Sequence, residues 1–194
     1  MTPMATWTSL EIVKLVVAAL TPVAVAVLGW WISRQLKRLE HLQWASQKAV
    51  EKRLEVYSAL APVLNDLYCY FDFIGDWKMK DPSEALGVKR VADRLFYVNS
   101  ALFSRGFRHA YAEFIDLCFV PGPLHEYDST AKLKTDVKIR REMFIKRGEV
   151  WKPEWDRYFA PPELVTTRDA IVLGYRTMMD AFVRELGVGL TEHR

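Results

Sequence analysis

The sequence predicts an all-α fold: a single N-terminal transmembrane helix continuing into a long helix and a cytoplasmic helical bundle. Three observations predict it. Residues Ile12 to Ile32 form an almost unbroken apolar run, IVKLVVAALTPVAVAVLGWWI. From Leu39 to Phe71, apolar residues return at three- and four-residue spacings, the period of one helix face. No segment alternates convincingly at period two, and no Asn-Gly or Asp-Gly hairpin turn occurs. Composition narrows the class further. The chain has 194 residues, 51% hydrophobic and 26% charged, with nine Gly and nine Pro. That excludes a disordered or collagen-like chain. A mean hydropathy of −0.05 excludes a polytopic membrane protein but leaves room for one span. A net charge of +3 is too mild to mark a nucleic-acid binder.

The span comes first. At about 1.5 Å per residue, Ile12–Ile32 makes a helix roughly 30 Å long, the thickness of a bilayer's hydrocarbon core. Lys14 is its only charge and lies one turn inside the entry end, where its stem can snorkel. Trp7 precedes the run and Trp30 and Trp31 close it, as interfacial tryptophans do. Pro22 predicts a kink. The alternatives are a buried core helix and a cleavable signal peptide. The unbroken run with aromatic ends argues against the first. The absence of Lys and Arg from residues 1–10 argues against the second. Arg34, Lys37 and Arg38 follow the span at once, with Lys48, Lys52 and Arg53 further on. Basic residues stay cytoplasmic, so the sequence places the protein in an inner membrane, N-terminus out. The organisation expected is residues 1–11 outside, 12–32 in the membrane, 33–61 a juxtamembrane stalk, 62–187 a bundle and 188–194 a tail.

The stalk face runs through Leu39, Leu42, Ser46, Val50, Leu54, Tyr57, Ala61, Leu64, Tyr68 and Phe71, with a kink or break expected at Pro62. Asp81-Pro82-Ser83-Glu84 reads as a helix start, with Asp81 as cap and Glu84 three residues on. Leu86, Val91, Leu95, Val98 and Leu102 follow as an apolar face. Gly106 then separates a short helix, about Phe107 to Phe119, that Pro121-Gly122-Pro123 stops. Asp128 or Ser129 caps another, ending near Gly148. An aromatic loop, WKPEWDRYFAPPE, leads to a last helix from Pro162-Glu163 to Gly187.

Candidate chemistry is sparse. HEPN-type ribonucleases bring an Arg and a His, a few residues apart, onto a scissile phosphate. Arg34 and His41 fit that spacing, although positive-inside anchoring accounts for Arg34 without chemistry; Arg105 and His109 miss it. His125 and His193 read as surface histidines. Asp72 and Asp76, four apart, suggest at most a carboxylate pair. Two Cys, Cys69 and Cys118, make no disulfide framework, and no spacing marks a zinc site or another cofactor. No phosphate-binding or hydrolase motif appears. The stretch Lys132–Arg147 is basic. Lys134, Lys138, Arg140 and Arg141, with Trp151 and Trp155 nearby, form a candidate surface for an anionic ligand, lipid or nucleic acid. A solvated charged face and a loop plugged onto the core are the plain readings of the same residues.

In layout alone, one span plus a cytoplasmic helical domain, the chain resembles small bacterial membrane effectors. The function expected is action through self-association or a cytosolic partner. Small residues in the span (Ala18, Ala19, Ala24, Ala26 and Gly29) let helices approach closely, and pore formation is a variant of the same idea. A membrane-tethered HEPN-like ribonuclease and a module binding an anionic ligand through residues 132–147 are the alternatives.

Overall fold

The computed structural model describes the backbone of residues 9–120 and 131–187. In the first helix, the side chains of residues 9–13, 15–17, 19, 21, 23–24, 38–43 and 45–46 are also outside the description. Several expectations fall there: Trp7, the side chains of Arg38, Leu39, His41, Leu42 and Ser46, Pro121-Gly122-Pro123, His125, the cap at Asp128 or Ser129, and the tail with His193.

Helices dominate: α1 (Ser9–Asp72), α2 (Pro82–Asn99), α3 (Arg105–Cys118), α4 (Val137–Lys146) and α5 (Arg168–Glu185). Short 3-10 turns at Trp77–Met79, Ser100–Leu102, Pro153–Tyr158 and Pro162–Leu164 lie between them. The chain divides into two units, Met1–Lys48 and Ala49–Arg194, and α1 contributes to both. Among the described residues, no helix is long and apolar enough to cross a membrane. In the first unit, every described side chain from Lys14 to Trp44 is exposed.

The second unit has the core. Val56, Leu60, Leu64, Leu67 and Phe71 line the buried side of α1. The predicted line is one edge of that wider arc: Tyr57, Ala61 and Tyr68 are partly buried, whereas Leu54 is exposed. Val56 and Leu60, within the expected stalk of residues 33–61, belong to the core, and the second unit begins at Ala49. Nor does Pro62 break the helix. Pro62 is exposed, so the backbone carbonyl it leaves unbonded faces water. Leu60 and Leu64, half a turn away, hold the helix in place.

α2 begins as its sequence predicts. Asp81 accepts from the Glu84 amide at 2.9 Å, and the Asp81 amide donates to Glu84 at 2.7 Å. Its buried side keeps part of the predicted face, since Leu86 is buried and Leu95 and Leu102 are partly buried. Ala85, Leu86, Ala92 and Phe96 face the core, while Val91 and Val98 are exposed. α3 starts two residues before its predicted bound, capped by Ser104, so Gly106 lies in the first turn and separates nothing.

The basic segment is not one helix. Lys132–Leu133 (β2) pairs antiparallel with Phe119–Val120 (β1), and α4 begins only after Asp136. Burial explains the strand that period-two patterning missed. Leu133 is fully buried, and the extended chain around it needs backbone partners on both sides. The Lys134 amide donates to Cys118 O, while Leu133 O accepts from Ala160 and Lys134 O from Thr166. Likewise Pro162-Glu163 opens a 3-10 turn, and α5 starts later, capped by Thr167. Gly187, at φ +69°, follows α5 as predicted.

Aromatic rings fill the centre. Phe96 stacks on Tyr111 at 3.7 Å between ring centres, and Phe107 on Phe182 at 4.3 Å. α3 and α5 come together over Gly174, where a Cβ would stand 2.4 Å from Leu117 Cδ1. Leu117 is only half-buried and its end can swing away. Gly174→Ala is therefore expected to stay within about 1 kcal/mol of wild type, the helical preference of alanine offsetting the rotamer shift. Gly174→Val, whose branches also approach Phe114, is expected to lose about 1–3 kcal/mol. Urea unfolding of the full chain in mild detergent measures both; equal midpoints for the two variants would show that the approach of the helices is not tight here.

Candidate functional site

Two places in the second unit gather polar groups. The first is a cleft of about 510 Å³ where the start of α3 meets the end of α5. Ser104 caps α3, and Glu185 reaches the same helix start, its carboxylate 3.2 Å from the Ser104 amide and bonded to the Ser104 hydroxyl. A carboxylate there complements the positive end of the helix dipole. Arg53 donates to Leu102 O at 2.8 Å and Glu185 O at 3.1 Å. It is thus bound into the fold of the second unit. What stays open to a ligand is His109, with Glu113 at 3.2 Å, and Arg184. An imidazole beside a carboxylate is suited to moving a proton, and a nearby guanidinium to holding an anion. A depression of about 560 Å³, lined by Leu117, Leu173 and Gly174 among others, shares Ala110, Glu113 and Thr177 with the cleft.

The second place is built around Arg140. The sequence put it on a basic surface; the structure leaves it 2% exposed. Its guanidinium carbon lies 3.7 Å from the centre of the Tyr70 ring, 4.5 Å from Phe73 and 4.8 Å from Trp77. One nitrogen, Nη2, donates to Tyr70 O and, at 3.4 Å, to Thr135 Oγ1. Nε and Nη1 have no hydrogen-bond partner, and neither has the Tyr70 hydroxyl. Burial pulls the Arg140 pKa down to about 10 and pushes that of Tyr70 up to about 12, so both keep their protons at neutral pH. Local sequence explains the geometry. Arg140 is three residues after Val137 and four before Phe144, on the inner side of α4. Phe73 adopts a left-handed backbone (φ 60°) just past α1, which brings its ring to the cage.

The remaining predicted residues are dispersed. Arg141 pairs with Asp156 at 2.5 Å, and the Trp151 indole donates to Asp156 at 2.9 Å. Those two bonds hold the Asp156 carboxyl below the usual carboxylate range, the one from Arg141 contributing most. Trp155 is buried against Phe144, so the tryptophans seat the loop on α4. Lys134 donates to Asp116 O at 2.7 Å, and Lys138 is exposed at the start of α4. Asp72 and Asp76 do not meet in one site. Asp72 is buried with Arg168 and Tyr68, while Asp76 pairs with Lys80 at 3.5 Å. Arg34 belongs to the first unit, where its guanidinium carbon lies 5.5 Å from the Trp30 ring centre, and His109 belongs to the second. Burial pushes both thiols up, Cys118 most of all. Among the described residues, no cluster of ligating side chains holds a place for a metal ion.

What the sequence reading missed is the cage that Tyr70, Phe73 and Trp77 form around Arg140. Their signal was the density of aromatics on both sides of Gly75 in YFDFIGDW, together with Val137 and Phe144 three before and four after Arg140. Comparison with known proteins adds no relative: no protein-family model, curated protein or solved structure matches the chain.

Arg140→Ala is expected to lose about 2–5 kcal/mol of stability, because it empties the cage and uncaps α1. Arg140→Met, which keeps the volume, is expected to lose less than half as much. Unfolding midpoints followed by near-UV circular dichroism decide this; an alanine variant with the wild-type midpoint would remove the cage from any account of the fold.

Proposed function

We propose that this protein is a membrane-anchored helical protein, with residues 12–32 crossing an inner membrane once and the unit from Ala49 working on the cytoplasmic side. There it acts by associating with further copies or with a cytosolic partner. The observation that carries the reading is the exposure of the first unit. Leu20, Val25, Val27, Leu28, Trp30, Trp31 and Ile32 stand 55–63% exposed. Consecutive residues sit about 100° apart on a helix, so Val25 to Ile32 present apolar surface on every side. A helix apolar all round needs apolar surroundings on all sides, and a bilayer supplies them. The asymmetry of basic residues, Lys14 alone before the span's centre against Arg34, Lys37 and Arg38 after it, supports the orientation.

Alkaline and high-salt washing of membranes tests the anchor. The protein is expected to stay in the pellet through both, and its release by either would sink the reading. Leu20→Arg is expected to cost about 2.5–3.5 kcal/mol of insertion free energy and to move protein out of the membrane fraction.

A second reading, a tethered ribonuclease, is favoured by one observation: His109 opens into the cleft that Arg184 also lines. Arg34 and His41 play no part in this version. Cleavage of a labelled RNA by the full chain, lost by a factor of about 10²–10⁴ in His109→Ala, is the expected outcome. Absence of cleavage by the wild type, or an unaffected variant, would end it. The third idea, an anionic ligand on residues 132–147, loses support because Arg140 is enclosed and Arg141 is paired.

A further inference from the structure

Two shallow depressions in the first unit meet on one side chain. One, of about 450 Å³, is lined by Pro22, Ala26, Val27 and Trp30. The other, of about 430 Å³, is lined by Trp30, Trp31, Arg34 and Gln35. Pro22, Ala26, Trp30 and Arg34 recur every four residues, so they share one face of α1. The upper depression has apolar walls, and Ala26 opens it by offering only a methyl group. The lower one has a cation, and the Arg34 guanidinium lies 5.5 Å from the Trp30 ring centre. Among the described residues no carboxylate pairs with Arg34, and exposed Lys37 adds a second positive charge nearby.

We propose that the Pro22–Ala26 notch, Trp30 and Arg34 form a site for one anionic glycerophospholipid, seated in the leaflet that receives the C-terminal end of the span. The inference rests on the membrane anchor proposed above and names its lipid partner. Dimensions agree with that occupant. Pro22 to Trp30 spans about 12 Å of helix, close to the roughly 15 Å depth of one leaflet's hydrocarbon. An acyl chain fills the notch over that depth. The chemistry follows the same order. Trp30, with an apolar ring and a polar N–H, stands at the boundary between chain and headgroup. The planar guanidinium of Arg34 donates paired N–H bonds to phosphate oxygens, and the Gln35 amide donates beside it. A merely positive surface would need neither the notch nor the indole.

The experiment uses the full chain, purified in mild detergent and exposed to an equimolar mixture of phosphatidylglycerol and phosphatidylcholine. Retained lipid is counted by native mass spectrometry. Wild type is expected to retain phosphatidylglycerol several-fold over phosphatidylcholine. Arg34→Gln is expected to lower that preference about fivefold, the factor one cation supplies beside an anionic headgroup. Trp30→Ala is expected to lower total retention of both lipids. Lys37→Gln is the control for diffuse attraction: a loss equal to that of Arg34→Gln would overturn the site. So would a wild type that retains the two lipids equally. Alkaline washing of native membranes separates the two levels of failure. Protein that stays in the pellet but shows no lipid preference overturns this inference alone, whereas protein that washes off removes the anchor and the lipid site together.

Discussion

A cation enclosed by three aromatic rings organises the second unit. Arg140 has no carboxylate partner, yet moving an unpaired guanidinium out of water is costly. Its countercharge is the end of a helix. Tyr70 O belongs to the last turn of α1, where unpaired carbonyls carry about half a negative charge. The faces of Tyr70, Phe73 and Trp77 add their quadrupoles around the same group, and they take the place of acceptors for Nε and Nη1. One interaction thereby stops α1, fixes the left-handed turn at Phe73 and docks α4. The loop after α4 follows, through Phe144, Trp151 and Trp155.

The same turn of α1 holds α5. Asp72, two residues beyond Tyr70, is buried and accepts from Arg168 and from Tyr68, the latter at 2.8 Å. Tyr68 lies flat on Tyr175 of α5 at 4.2 Å. Bonding to the carboxylate raises the Tyr68 pKa, so the phenol stays a donor. Contacts made by Tyr68, Tyr70, Asp72 and Phe73 thus distribute α4 and α5 around one helix end. The cleft with His109 sits elsewhere, where α3 starts and α5 finishes, and it is lined in part by Phe107, whose ring stacks on Phe182. Two of its lining groups, His109 and Arg184, are exposed and take no part in the core.

The two units rest on different physics. From Ala49 onward, burial of aromatic and aliphatic side chains forms a core in which Leu60, Leu64, Leu67 and Phe114 reach zero exposure. Before Lys48, none of the described side chains from Lys14 to Trp44 is buried. The proposed bilayer, and the lipid at Trp30 and Arg34, are readings of what such a surface requires.

Much of the secondary structure follows from local rules. Helix starts at Asp81 and stops at Gly187 are legible because capping groups and left-handed glycine act over three or four residues. The apolar run of residues 12–32 and its charged flank are legible for the same reason, being contiguous. Burial was less so. Val91 and Val98 looked like core and are exposed, while Ala85 and Ala92 are buried, because the partners of α2 come from distant parts of the chain. The strand at Lys132–Leu133 exists only because residues 118–120 and 159–160 flank it. Arg140 is the clearest case. By itself the sequence shows a charged residue in a basic stretch, and charge patterning says surface. Only the tertiary structure brings the α1 carboxyl-terminal carbonyl and three rings to it, since desolvating a cation becomes tolerable only where its substitutes for water are already assembled.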